Sequence, residues 1–310
     1  MSSDAEDARS GLQRLQFYGP DKLDGLHIER LGGTTNRVFM ITGPRGRHVL
    51  RIPGKGTEEY IDRRVEAVAA RAAARAGVSP QVIAFAEDGL MLTEAVDGAI
   101  TMTPPTFNAN PDSIARAGAV LRKLHNSGET FEFRFELFSM IDDYLKFLKA
   151  KDAAVPDGYY DVLASAEGVR TALGAHPLPL APCHCDPLSE NFLDTGARMW
   201  LVDWEYSGMN DPLWDVGDVA VEALLTPENE QVLLDSYFDR APTKSEMGRY
   251  VIYKAMCDLL WTLWGLIQHV NKNPADDFWA YTINRFERCK ALMQSREFSE
   301  HVANVAKGAS

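Results

Sequence analysis

From residue 27 onward the apolar positions come in short bursts separated by turn residues. HIERL runs into GGTTN, RVFMITG runs into a PRG turn, and HVLRIPG follows, a series that predicts strand, loop, strand, turn and strand. EEYIDRRVEAVAARAAARAG then changes the period: it is rich in Ala and Arg, both good helix formers, and Gly77 stops it. QVIAFAE and GLMLTEAV, with EDG between them, return to strand patterning. Five strands and one helix are therefore expected within about the first 97 residues. The polar segment MSSDAEDARS ahead of them is expected to fray, as is the terminal KGAS.

After DGAITMTPP the apolar spacing lengthens to three and four. In PDSIARAGAVLRKLHNSG, residues Ile114, Ala117, Val120, Leu121 and Leu124 fall on one helical face. LFSMIDDYLKFLKAKD and YDVLASAEGVRTAL behave alike, and the chain from DPLWDVGDVAVEALL onward is mostly helical. Between them, LAPCHCDPLSENFLDT and RMWLVDWEYSG predict loop, strand, turn and strand. The expected fold class is α+β with two lobes: a small N-terminal antiparallel sheet with one helix over residues 1–97, and a larger, mainly helical part over residues 98–310. A connecting strand near residues 93–98 would join them.

Composition and charge narrow the function classes. The 310 residues are 45% hydrophobic and 25% charged, which excludes disordered and low-complexity chains. No apolar stretch reads as a membrane span and no signal-type apolar region opens the chain, so a cytoplasmic protein with no membrane partner is expected. Four cysteines fit reduced thiols in that compartment, and Cys183 with Cys185 lacks the second pair that zinc needs. A formal charge of −12 argues against a nucleic-acid partner and favours a cationic small molecule.

The candidate chemistry is concentrated in HCDPLSEN, residues 184–191. Phosphoryl transfer needs a positioned base, oxygen ligands for a metal and donors that hold a nucleotide in line. Asp186 offers the base and Asn191 an amide oxygen. Twelve residues later LVDWEY offers Asp203 and Glu205, whose i, i+2 spacing on an apolar strand sends both carboxylates to one face. All six tryptophans lie between residues 200 and 279. Trp261 and Trp264 share one helical face, and Phe278 and Tyr281 repeat that spacing. Core packing accounts for any one of these rings as well as a binding cage does. As a cage, closed by Tyr206 and Glu205, they would attract a quaternary ammonium by about 0.5–2 kcal/mol per ring.

HCDPLSEN resembles the H-x-D-x-x-x-x-N catalytic loop of protein kinases and of the phosphotransferases sharing their fold. Over most of residues 25–290 the chain resembles choline/ethanolamine kinases. LVDWEYSGMNDPLWDVGD resembles their metal-binding segment, with Trp204 where Phe is common, and GGTTNRVFMI their phosphate loop. HVLRIPG resembles the strand whose base contacts the phosphates, and IDRRVEAVAA the helix whose acid pairs with that base. LLWTLWGLIQ and FWAYTINRF resemble the helices lining the choline pocket, although Trp279 and Ala280 alter the local aromatic set.

The resemblance implies a bilobal protein-kinase-like fold that moves the γ-phosphate of ATP to the hydroxyl of choline with Mg2+. By position it implies Asp186 as catalytic base, Asn191 and Asp203 as Mg2+ ligands, and Glu205 as a second-metal or substrate-side acid. Gly32, Gly33, Thr34 and Asn36 would present donors to the phosphates, Arg51 would hold them, and Glu66 would fix Arg51. Backbone groups from Glu94 to Val96 would meet the adenine. Asp215 would steady the catalytic loop, in which His184 is structural, and His125 is a packing residue. Tyr206, Trp261, Trp264, Phe278 and Tyr281 would line the acceptor pocket. Ethanolamine, thiamine or another amino alcohol as substrate, and a catalytically inactive binding module, are the alternatives; a homodimer is left open.

Overall fold

The computed structural model describes residues 3–19, 23–32, 36–54 and 61–308. It begins with α1 (Ser3–Leu15), β1 (His27–Gly32), β2 (Arg37–Gly43) and β3 (Gly46–Ile52), then α2 (Arg63–Arg75), β4 (Val82–Phe85) and β5 (Met91–Glu94). The five strands make one antiparallel sheet in the order β1-β2-β3-β5-β4. β2 and β3 pair from Arg37–Ile52 to Gly43–Gly46, so the PRG segment closes a tight hairpin. Alternation along these strands sends Phe39, Ile41 and Leu50 to one face, where they form a cluster with Leu90 and Leu92.

The N-terminal segment is a helix, not the frayed end its composition suggests. Ala8 and Leu12, one helical turn apart, are fully buried in the sheet's cluster. The acidic residues that make the segment look solvated are themselves anchored: Asp4 pairs with Arg30 at 3.1 Å, and Asp7 pairs with Arg37. The small sheet therefore carries two helices where one was expected.

α2 starts later than the pattern suggested, at Arg63. Asp62 caps it, accepting from the backbone N–H of Arg64 at 3.0 Å and of Val65 at 3.4 Å. Its Ala69, Ala70, Ala72 and Ala73 are buried in the larger of the two hydrophobic clusters.

The remaining elements are β6 (Ile100–Thr101), α3 (Pro104–Ala109), α4 (Pro111–His125), α5 (Leu137–Ala150), α6 (Tyr159–Ala175), β7 (Ala181–Cys183), β8 (Phe192–Asp194), β9 (Met199–Leu201) and β10 (Gly208–Asn210), followed by α7 (Leu213–Glu222), α8 (Pro227–Phe238), α9 (Lys244–Val270), α10 (Phe278–Met293) and α11 (Arg296–Lys307). α4 buries the five apolar residues that the spacing singles out. β10 pairs with β7, and β8 lies between β6 and β9, so two small antiparallel units bracket the segment from His184 to Asn191.

α9 corrects the expectation that no stretch is long enough to span a membrane. It has 27 residues and is apolar enough by length and composition, but 83% of its apolar window is buried. It packs against α5, α7, α10 and α11, and so forms the axis of the helical part. Gly217 lets α7 approach it: a Cβ there would lie 3.0 Å from the Tyr250 carbonyl oxygen.

Candidate active site

The loop after β7 is held mainly by one buried carboxylate. Asp215, in the first turn of α7, accepts from the backbone N–H of His184 at 2.7 Å and of Cys185 at 2.8 Å. It also meets His125 Nε2 at 2.9 Å, while His125 Nδ1 meets the Tyr237 hydroxyl at 2.8 Å. Asp215 therefore ties the loop to α7 and α4, and both ring nitrogens of His125 are used in packing contacts. His184 is fully buried, its Nε2 2.9 Å from the Val202 carbonyl oxygen. Cys185 takes a left-handed backbone, φ +65°, an uncommon conformation for a residue with a Cβ and one that clusters at functional sites. Burial pushes the Cys183 and Cys185 thiols well up, so neither is a nucleophile at neutral pH.

Asp186 follows this kink. The Asn191 Nδ2 donates to its carbonyl oxygen at 3.0 Å, which commits the amide nitrogen and leaves Oδ1 as an oxygen ligand. The Val202 N–H donates to the Asn191 carbonyl oxygen at 3.0 Å, placing Asn191 beside the residue that precedes Asp203. Burial raises the Asp186 carboxyl well above the usual carboxylate range. Glu222, Asp203 and Glu205 add to the rise, and Arg285 opposes it.

Asp203 and Glu205 converge with the sheet residues, though not by the strand geometry their spacing suggests. β9 ends at Leu201, and Asp203 has φ +67°, so the two acids stand on a turn. Their ligand oxygens and one of Glu66 lie within 4.8 Å of one another. Arg51 Nη1 contacts Glu66 and, at 3.2 Å, Asp203 Oδ1; its Nη2 donates to the Gly89 carbonyl oxygen at 3.0 Å. A second arginine, absent from the sequence reading, completes the cluster: Arg63 Nη1 lies 2.8 Å from Glu66 Oε2 and 3.0 Å from Glu205 Oε2. Gly89 makes room for it, because at φ +91° a Cβ would sit 2.5 Å from Arg63 Cδ. Both Glu66 oxygens are taken by the arginines, Asp203 Oδ1 by Arg51 and Glu205 Oε2 by Arg63 and Asn36, so among the described residues the second carboxylate oxygens of Asp203 and Glu205 and the Asn191 Oδ1 remain for a hard cation. Burial first and then the neighbouring Asp203 push the Glu205 carboxyl up to about 7. Asp203 is raised too, chiefly by burial, although Arg51 pulls against it.

The nucleotide-facing residues divide. Gly33 and Thr34 lie outside the described residues. Gly32 ends β1 with open space beside it. Asn36 is not a spare phosphate donor: its Nδ2 donates to Glu205 Oε2 at 3.1 Å and its Oδ1 accepts from the Gly54 N–H at 3.3 Å. It joins the sheet to the acid cluster instead. Glu94 ends β5, pairing with His48, and Val96 follows in the segment leading to β6.

On the other side of Glu205 the aromatic residues pack edge to face. Tyr206 meets Trp261 at 5.5 Å and 78°, and Trp261 meets Trp264 at 6.4 Å and 87°. The Trp264 Nε1 donates to the Tyr206 hydroxyl at 3.0 Å, while Phe278 and Tyr281 lean on Trp264 at 5.7 and 5.8 Å. Tyr281 is not an open wall, because the Arg285 guanidinium stands 4.8 Å from its ring centroid. Arg285 also pairs with Glu222 and, at 3.2 Å, with Asp258. The sequence reading missed Glu222 and Asp218. The signal was present: Asp215, Asp218 and Glu222 recur at three and four along an otherwise apolar helix. Asp218 is fully buried, with the Cys257 thiol as its hydrogen-bonding neighbour and no cation paired with it among the described residues. Burial, with Glu222 and Asp186, raises its carboxyl well above the normal range.

Residues 27–253 match the family described as the phosphotransferase enzyme family. The chain belongs to that family. It is similar in structure to a choline/ethanolamine kinase family protein from Mesorhizobium loti, with a TM-score of 0.87 and 56% identity over 98% of this chain and 100% of that one. It is similar to the choline kinase LicA from Streptococcus pneumoniae, with a TM-score of 0.77 and 26% identity over 94% of this chain and 99% of that one. Protein LicA of Haemophilus influenzae is 28% identical over 85% of this chain and 79% of its own length. The molecule is thus a small-molecule kinase of the choline/ethanolamine kinase type, a phosphotransferase acting on a hydroxyl acceptor. In such a kinase the Asp186 loop faces two neighbourhoods of opposite character: acids tied to arginines around Glu205, and packed rings beside Asp218 and Glu222.

Proposed function

We propose that this kinase transfers the γ-phosphate of ATP to the hydroxyl of choline, forming phosphocholine. The observation that carries the reading is the arrangement of Tyr206, Trp261 and Trp264, whose successive ring pairs stand at 78° and 87° next to the carboxylate of Glu205. Ring faces and a carboxylate attract a quaternary ammonium that has no N–H to donate. The likeness to a choline kinase LicA supports the same acceptor.

In this reading Asp203, Glu205 and Asn191 would hold Mg2+, which when bound would supply positive charge to offset that of the phosphates. The donor set fits a hard cation, being all oxygen: the carboxylates of Asp203 and Glu205 lie within 4.8 Å of one another, and Asn191 has its amide oxygen uncommitted once Nδ2 has bonded the Asp186 carbonyl. Arg51, fixed by Glu66 and the Gly89 carbonyl, supplies a permanent positive charge from the sheet side. Asp186 orients the acceptor hydroxyl and takes its proton as the oxygen attacks. Its raised affinity for protons suits a base of that kind, and bringing cationic substrates and metal beside it lowers that affinity as the site fills.

The test is an acceptor panel with Mg2+ and ATP, comparing choline, ethanolamine, thiamine and an aminoglycoside by kcat/KM. Choline is expected to lead. Ethanolamine leading would replace the cage with a site of hydrogen-bond acceptors. ATP consumption unchanged by every acceptor would favour an inactive binding module.

A further inference from the structure

The two carboxylates read as metal ligands are joined by an unbroken run of alternating charges. Arg51 Nη1 lies 3.2 Å from Asp203 Oδ1 and also contacts Glu66 Oε1. Arg63 Nη1 lies 2.8 Å from the other Glu66 oxygen, Oε2, and 3.0 Å from Glu205 Oε2. The order is therefore Asp203, Arg51, Glu66, Arg63, Glu205, with one acid of the proposed metal seat at each end and Glu66 in the middle. The side chains of Arg63, Glu66 and Glu205 are 6%, 0% and 5% exposed, so water and salt screen these pairs far less than pairs on an open surface.

Local features of the chain fix Arg63 in that run. Asp62 caps α2 through the backbone N–H groups of Arg64 and Val65, which makes Arg63 the first residue of the helix. From there Glu66 is three residues on and shares its face. Gly89, at φ +91°, leaves room for the arginine stem, since a Cβ there would lie 2.5 Å from Arg63 Cδ. Glu205 receives both its donors on a single oxygen: Arg63 Nη1 and, at 3.1 Å, Asn36 Nδ2 fall on Oε2. Both donors come from the sheet side, so they turn Oε2 towards the sheet and leave Oε1 to face away from them.

We propose that Arg63 is a positioning residue for the divalent cation: it holds Glu205 by one oxygen so that the other is presented to the metal, as Arg51 does for Asp203 at the opposite end of the run. The inference rests on the reading of Asp203 and Glu205 as metal ligands. It gives Glu66 a second task, because its two oxygens anchor two arginines that serve two different acids. A purely Coulombic role for Arg63 has the opposite sign. A cation that only stood near the seat would repel the metal, and removing it would tighten metal binding. Two carboxylates already neutralise Arg63 at contact distance, so orientation outweighs that repulsion. Groups that orient a metal ligand typically change metal affinity by about 10–100-fold.

Mn2+ binding in the presence of ADP, followed by electron paramagnetic resonance without turnover, tests this on the full chain. Arg63→Met, which keeps the length without the charge, and independently Arg63→Gln, are each expected to weaken Mn2+ binding by about tenfold. Arg63→Lys, whose ammonium can donate to both carboxylates, is expected to stay within about threefold of wild type. Adding Arg63→Met to Glu205→Gln is expected to cost little more than Glu205→Gln alone, because the group it orients has lost its charge. Mn2+ binding that is unchanged or tighter in both neutral variants, or a full further loss when Arg63→Met is added to Glu205→Gln, overturns the inference alone. Wild-type Mn2+ binding by Glu205→Gln takes Glu205 out of the metal seat and overturns that reading and this inference together.

Discussion

The two neighbourhoods that meet at Asp186 are built on opposite terms. On the sheet side, every carboxylate of the cluster has a cation or amide within reach: Glu66 has Arg51 and Arg63, Asp203 has Arg51, and Glu205 has Arg63 and Asn36. On the aromatic side the groups nearest Glu205 are rings, Tyr206, Trp261 and Trp264, packed edge to face on one another. Buried polar atoms without a partner occur on both sides, Arg51 Nε on one and Trp261 Nε1 on the other, so the contrast lies in charge pairing against ring packing. The difference teaches that one half of the site is held together by opposite charges and the other by ring packing.

Removing the group that stands between the halves is expected to have the largest effect. Asp186→Asn should lower kcat by about 10²–10⁴-fold while leaving ADP-induced thermal stabilisation in place. Turnover within a few-fold of wild type would take Asp186 out of the proton transfer. Next in size, Trp264→Ala should raise KM for choline by about 2–30-fold, the worth of one ring, and move KM for ATP little. If both constants rose together, the halves would be one cooperative unit and the comparison would fail.

The smallest effect concerns pH and the buried acid on α7. Asp218 has a folded-state pKa above its unfolded value of 3.8, so it binds more protons folded than unfolded. Its stabilising contribution is complete below the unfolded value and is lost as pH rises towards the folded one. Asp218→Asn escapes that loss. It should therefore gain stability relative to wild type as pH rises from about 4 to 8, by about 1 kcal/mol, or roughly 2–4 °C in Tm. A gain that is flat with pH would mean that Asp218 does not change its charge on unfolding.

Much of the sheet side was legible in the sequence, and the reasons are local. HCDPLSEN fixes Asp186 and Asn191 at an offset that one short loop spans, so the hydrogen bond between them needs nothing from afar. The convergence of Asp203 and Glu205 was also visible, but the strand argument for it was wrong, because the left-handed turn at Asp203 leaves no mark in an apolar run. Arg63 was hidden by its helix-forming surroundings, and its role depends on a glycine 26 residues away. On the aromatic side the rings were visible by spacing, but the cation that occupies Tyr281 was not. Arg285 looks like an ordinary helix charge until Glu222, 63 residues earlier, is folded against it. The N-terminal helix was missed for the converse reason: two buried residues, Ala8 and Leu12, outweigh a polar composition once arginines on the strands meet Asp4 and Asp7.

The central claim is that Asp203, Glu205 and Asn191, with Arg51 opposite, form a seat for a metal-bound nucleotide. Electron paramagnetic resonance of Mn2+ titrated into the protein with ADP measures that seat directly, without turnover. Wild-type protein should bind Mn2+ strongly only when ADP is present, and Asp203→Asn should weaken that binding by at least about tenfold. Mn2+ binding that ignores ADP, or that Asp203→Asn leaves intact, would contradict the account.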